Sequence, residues 1–188
     1  MLTLVLGGAR SGKSRHAQTL AAGLGQRVCY IATAQAGDLE MAARIARHQA
    51  ERPASWVTVE EPLDLAGAIA KSSEGAVLVD CLTLWLSNWL GQGEPSGYPV
   101  ARGQLLDVLS TFQGDSCQHL VLVANEVGLG IVPLGELTRR FVDEAGWLNQ
   151  EIAALADDVI WMVAGLPVIL KNNVSRTTSL KKNEFEEK

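Results

Sequence analysis

Short, solid runs of apolar residues alternate along the chain with longer stretches in which apolar and polar positions are mixed. The solid runs fall at 2–6, 28–32, 76–80, 119–124 and 159–163, with a weaker one at 57–59. Apolar runs this short, bounded by turn formers, predict strands buried on both faces, as inside a parallel sheet. The mixed stretches at 13–24, 38–52, 63–71, 82–90, 100–112 and 137–156 predict helices. Their stops are visible. Gly23 and Gly25 end the first, Pro53 ends the second because the residue before proline avoids helical angles, and a turn at 72–75 follows the third. Residues 91–99, with their Gly, Pro and Ser, read as a loop and as the best candidate for a mobile segment.

This alternation predicts the α/β class: a mostly parallel central sheet covered by helices on both faces. The 188 residues suit one well-filled core, expected over 1–171. Residues 172–188 are polar, charged and without period, and are expected to form a disordered tail outside the fold.

Composition narrows the function classes. With 47% hydrophobic and 20% charged residues the chain is ordinary globular protein. A formal charge of −5 argues against a general nucleic-acid or anionic-membrane surface, which would need a basic excess. No segment has the roughly 18–20 continuous apolar residues of a membrane helix, and Met1 leads straight into a strand-like run without a signal-peptide pattern. Cys29, Cys81 and Cys117 are odd in number and widely spaced, offering neither a disulfide framework nor a zinc site. Cytoplasmic location is the expectation.

Gly7-Gly8-Ala9-Arg10-Ser11-Gly12-Lys13-Ser14 fits the GxxxxGK[ST] phosphate-binding loop at every fixed position, between a predicted strand and a predicted helix. Glycines let successive backbone N–H groups turn inward as an anion nest, and the following helix offers its positive end to the same charge. Lys13 would reach the β and γ phosphates, and the Ser14 hydroxyl would ligate Mg²⁺. Such a loop wants a second carboxylate for its metal. Asp80, ending the apolar run 76–79, is the candidate.

Glu40, Arg44, His48 and Arg52 recur every four residues and form one stripe on a helix. A solvated, salt-bridged face explains that spacing. So does a nucleophilic His48 whose flanking arginines stabilise charge on a transferring phosphoryl group. Spacing alone leaves both readings standing. His16 and His119 read as structural or exposed.

Taken together, these motifs resemble the bifunctional adenosylcobinamide kinase/adenosylcobinamide-phosphate guanylyltransferase family of cobalamin biosynthesis. The phosphate loop through Arg15 is similar to that family's version. So are Tyr30-Ile31-Ala32-Thr33-Ala34, then Asp38, Glu40-Met41, Arg44-Ile45, His48, Arg52-Pro53, Trp56, Thr58 and Glu60 in order and spacing. Asp80-Cys81-Leu82-Thr83-Leu84-Trp85 with Asn88 resembles a second motif, and Asn125-Glu126-Val127-Gly128 with Gly130-Ile131-Val132-Pro133 a third. Arg140-Phe141, Asp143, Gly146 and Asn149-Gln150 are similar to a late helix, and Gly165-Leu166-Pro167 to a last strand. Arg47 stands where some members carry a second histidine, and Leu134-Gly135 replaces a more polar pair.

The resemblance implies a RecA-like P-loop NTPase fold, a homotrimer, and two reactions. ATP or GTP would phosphorylate adenosylcobinamide. GTP would then donate GMP through a GMP-histidine on His48, giving adenosylcobinamide-GDP and pyrophosphate. It implies guanine-nucleotide contacts at Gly7, Gly8, Ala9, Arg10, Ser11, Gly12, Lys13 and Ser14, at Thr33, Ala34 and Gln35, at Gln49, Ala50, Glu51 and Arg52, and at Glu60 and Asp80. Another small-molecule P-loop kinase with His48 idle, or a RecA-like regulatory NTPase module, are the competing readings.

Overall fold

The computed structural model describes residues 1–24, 27–50, 52–72, 75–93, 97–112 and 118–172. Seven strands form one sheet: β1 (Leu2–Gly7), β2 (Val28–Ala32), β3 (Val57–Glu60), β4 (Ala76–Asp80), β5 (His119–Asn125), β6 (Asp158–Val163) and β7 (Leu166–Asn172). Their order is β3-β2-β4-β5-β1-β6-β7. Every pairing is parallel except β6 with β7. The connections carry α1 (Lys13–Gly23), α2 (Leu39–Ala50), α3 (Leu65–Lys71), α4 (Leu82–Leu90), α5 (Tyr98–Ser110) and α6 (Glu136–Leu155). The α/β, mostly parallel architecture expected from the hydrophobic pattern is present.

Side chains alternate across a strand, so β1 feeds two cores at once. Leu2, Leu4 and Leu6 join a large cluster with Leu65, Trp85, Leu86, Leu105, Leu148 and Ile152, supplied by α3, α4, α5 and α6. Val5 points the other way, into a smaller cluster with Ala17 and Ala21 of α1. Those two alanines lie one turn apart and let α1 rest close on the sheet. Both faces are covered, but unequally. No residue of α2 is buried, and Leu39 at its start is 90% exposed.

Two elements differ from expectation for identifiable reasons. The helix expected over 100–112 begins at Tyr98, with Pro99 in its first turn. Proline lacks only an N–H that the first turn would leave unpaired, so the residue read as a loop signal is a helix start. Residues 94–96 of the expected loop lie outside the described residues. The apolar pattern also missed most of β7, because Pro167 argues against a strand. Here β7 is the outermost strand, where a missing N–H costs no ladder bond. It is reached through a two-residue turn, Ala164 (φ 51°) and Gly165 (φ 82°), the left-handed pair that a tight hairpin needs. It runs to Asn172, one residue into the stretch expected as tail; 173–188 lie outside the described residues.

Leu105 is fully buried on α5, whereas Val100 on the same helix is mostly exposed. Leu105→Ala is expected to lower unfolding free energy by about 2–5 kcal/mol, and Val100→Ala to stay within about 0.5 kcal/mol. Urea denaturation of both variants checks the assignment of the buried face.

Candidate nucleotide site

The turn after β1 follows from steric necessity. A side chain on Gly7 would strike the Ser11 hydroxyl and sit 2.8 Å from the Met162 carbonyl, and Gly12 holds φ 94°. Arg10 also adopts a positive φ of 56°. The turn is pinned from outside by the β6–β7 hairpin: Gly165 donates its N–H to the Ser11 carbonyl at 3.0 Å. A methyl on Gly12 would come 3.3 Å from Gly165 Cα, so the hairpin forms a wall against the loop. Neither Gly165 nor Met162 was marked as a site residue by sequence. Their role depends on a distant hairpin that local pattern does not show.

α1 begins directly at Lys13, with Gly12 as its N-cap and no capping side chain. Its first-turn N–H groups are therefore left for another acceptor, the usual condition for holding an anion. Lys13 is only 8% exposed and donates from Nζ to the Gly8 carbonyl at 3.1 Å. Burial lowers its pKa, opposed by Cys81 and Asp80. Burial, reinforced by Asp80, also pushes the Cys81 thiol up to about 11. Ser14 follows in the first turn of α1. The Ser11 hydroxyl is buried with no partner among the described residues, a polar atom aimed into the turn.

Asp80 ends β4, in register with Ala32 of β2 and Val123 of β5. Its Oδ2 accepts a 2.9 Å hydrogen bond from the Tyr30 hydroxyl. Among the described residues its other oxygen has no hydrogen bond, and no three His, Cys, Asp or Glu side chains cluster to form a complete metal cage. That donor set fits Mg²⁺, which keeps several waters and takes one or two protein oxygens beside phosphate. Ser14 and Asp80 are the residues that would hold it.

Thr33 is fully buried and locked to the chain after Asp80. Its hydroxyl donates to the Cys81 carbonyl at 2.7 Å and accepts from the Cys81 N–H at 2.9 Å. Asn88 clamps the same corner, donating to the Thr33 carbonyl at 2.8 Å and the Pro62 carbonyl at 3.0 Å. The Thr33 hydroxyl thus organises the strand ends, while Ala34 and Gln35 continue outward to the partly exposed and exposed surface.

The polar stripe expected on one helix over 38–52 divides into two halves, with Arg52 beyond the end of α2 at Ala50. Arg44 and Glu40 form an exposed ion pair at 2.5 Å, the solvated face that spacing allowed. His48 and Arg52 are different: half-buried, with His48 Nδ1 and Arg52 Nε both shielded from solvent and without a partner among the described residues. The Arg52 guanidinium lies 3.7 Å above the Tyr30 ring, and that ring stacks on Trp56 at 6.4 Å. Gln49 donates to Glu60 Oε1 at 3.1 Å, tying α2 to the end of β3. Ala50 ends α2, and Glu51 lies outside the described residues. A line of interactions thus runs from Arg52 through Tyr30 and Asp80 to the Lys13 charge. Among the described residues, no hydrogen bond joins His48 to the phosphate loop.

Beside Gly7, in register, Asn125 ends β5 and donates its N–H to the Thr83 hydroxyl at 2.7 Å. Glu126 donates its N–H to the Gly7 carbonyl at 3.0 Å and accepts from the Gly128 N–H. The loop that follows exposes Leu129, Ile131, Val132 and Leu134, two of them almost completely at 98% and 97%. Among the described residues no helix is long and apolar enough to cross a membrane.

Comparison with known proteins agrees with this arrangement. The chain has the fold of the RadB recombinase (TM-score 0.51, 18% identity, 85% of this chain and 73% of that one). It is also similar to the ATPase EscN of the enteropathogenic E. coli type III secretion system (TM-score 0.57, 13% identity, 87% of this chain and 43% of that one). These likenesses bear on fold alone. In sequence it is 56% identical over 173 residues to the bifunctional adenosylcobalamin biosynthesis protein CobP of Pseudomonas aeruginosa, covering 91% of this chain and 98% of that protein. It is 43% identical over 182 residues to CobU of Salmonella typhimurium, a protein of the same description, covering 91% and 100%. The family model described as cobinamide kinase / cobinamide phosphate guanyltransferase matches residues 3–170. With that match and relatives this similar along nearly their whole length, the chain belongs to the cobinamide kinase / cobinamide phosphate guanyltransferase family.

Proposed function

We propose that this chain carries out both reactions of its family from one phosphate cradle, with His48 as the covalent carrier of GMP. The observation that carries the reading is the pairing of an uncapped helix start with a buried Lys13 facing Asp80. In the kinase step the hydroxyl of adenosylcobinamide attacks the γ-phosphorus of ATP or GTP. The nest and Lys13 take up charge on the β and γ oxygens as the bond to the leaving nucleoside diphosphate breaks. Mg²⁺, held by Ser14 and Asp80, would neutralise phosphate charge.

In the second step His48 attacks the α-phosphorus of GTP, a P–N bond forms, and pyrophosphate leaves. A phosphate oxygen of adenosylcobinamide phosphate then attacks the same phosphorus and displaces the imidazole, giving adenosylcobinamide-GDP. Two displacements replace one difficult transfer. Because Nδ1 is closed off, Nε2 is the ring nitrogen that attacks. Arg52 sits over the Tyr30 ring, and its guanidinium supplies donors of the kind that pair with phosphate oxygens. Glu60, bonded to Gln49, supplies an acceptor for the donor edge of guanine. The backbone of residues 33–35 and 49–52 completes the nucleotide contacts.

The loop from Asn125, beginning beside the cradle and lined with exposed apolar side chains, suits the broad, partly apolar corrinoid. The same exposure, continued along β7 at Leu166, Ile169 and Leu170, supports assembly of copies as a trimer. The reading places the enzyme in the cytoplasm, without nucleic acid.

GTP labelled at the α-phosphate is expected to leave acid-labile, alkali-stable label on Nε2 of His48. His48→Ala is expected to abolish that label and keep phosphorylation of adenosylcobinamide. Label surviving the substitution removes this mechanism, and ATPase activity with no label in the wild type favours a regulatory module. Asn125→Ala and Glu126→Ala are expected to weaken corrinoid binding by about tenfold, the scale of one lost polar contact; unchanged affinity and turnover discard that loop's assignment. Sedimentation is expected to give three times the chain mass of 20.1 kDa.

A further inference from the structure

α2 presents a mechanical problem. It carries His48, yet no residue of the helix is buried, so hydrophobic packing does not fix it on the sheet. A group that must meet a phosphorus atom in line needs placement to within a fraction of an ångström. What holds the end of this helix is polar and aromatic: the Gln49–Glu60 hydrogen bond and the seat of Arg52 on Tyr30.

Tyr30 is unusually suited to be that seat. It is 2% exposed and lies inside β2, in register with Thr58 of β3 on one side and Leu78 of β4 on the other. The strand ladder on both sides makes its ring an immovable platform. One ring face carries the Arg52 guanidinium at 3.7 Å, Trp56 stacks against the same ring at 6.4 Å, and the hydroxyl donates to Asp80 Oδ2 at 2.9 Å.

We propose that Tyr30 is a positioning residue for the histidine step: its ring seats Arg52, its hydroxyl steadies Asp80, and together they lock the His48 end of α2 to the tip of β4. This rests on the assignment of His48 as GMP carrier. Loss of the hydroxyl disturbs Asp80, which serves both reactions. Loss of the ring frees the end of α2, which serves only guanylyl transfer. The two functions of one side chain are therefore separable by substitution.

The experiment compares wild type with Tyr30→Phe and Tyr30→Leu, and with position 30 replaced by phenylalanine bearing one, two or three ring fluorines, which weaken cation attraction without changing shape. Label on His48 from α-labelled GTP and phosphorylation of adenosylcobinamide are measured on each, beside the ring-current shift of the Arg52 guanidinium protons by NMR. Tyr30→Phe is expected to lower both reactions by a common factor of a few fold and to keep the Arg52 shift. Tyr30→Leu is expected to lower labelling roughly tenfold more than phosphorylation, and to lose that shift. The fluorinated series is expected to lower labelling stepwise against phosphorylation, which keeps the idea testable if Tyr30→Leu fails to fold. An equal ratio of the two activities across the fluorinated series overturns the proposal, as does a Tyr30→Phe ratio as low as that of Tyr30→Leu. A wild type that takes no label on His48 overturns the carrier assignment, and this inference with it. Label in the wild type with invariant ratios overturns the role of Tyr30 alone.

Discussion

Strand direction is the constraint on which the rest depends. Six strands, from β3 at one edge to β6, run the same way, so the turns after β1, β2, β3, β4 and β5 all leave the sheet at one end. That single choice gathers the glycine turn, Thr33, Glu60, Asp80 and Asn125 from five separate stretches of sequence. Ligands of open parallel sheets bind at such an edge for this reason. Buried charge then fixes the chemistry. Lys13 has lost much of its water, which lowers its pKa, and the nearby Cys81 and Asp80 oppose that shift.

Local chemistry was legible in the sequence and long-range contact was not. The glycine turn could be read because two of its glycines are needed by the local backbone: Gly7 has no room for a side chain, and Gly12 needs a positive φ. Asp80 stood out only beside the glycine turn, since a carboxylate ending an apolar strand also serves as a helix cap or turn former. The four-residue stripe expected over 38–52 could not be resolved, since spacing is the same for a solvated ion pair and for a buried functional pair. In the folded chain Glu40 and Arg44 pair in water, while His48 and Arg52 are half-buried. Family resemblance, rather than periodicity, separated them beforehand.

Tyr30 and Gly165 had no site role in the sequence reading for a related reason. Within its strand Tyr30 is one more core aromatic, and only the arrival of Asp80 and Arg52 from elsewhere gives it polar duties. Gly165 sits in a hairpin that local rules underrated because of Pro167. Its N–H is nevertheless one of the bonds that shape the phosphate loop.

That last bond has a consequence for how the protein comes to life on the ribosome. β1 emerges first, but its sheet neighbours are β5 and β6, and the wall against Ser11 is the turn after β6. Contacts between chain ends carry a heavy loop-closure cost and form late. A nascent chain therefore carries its glycine signature early yet lacks the wall against Ser11 until the turn after β6 has been made.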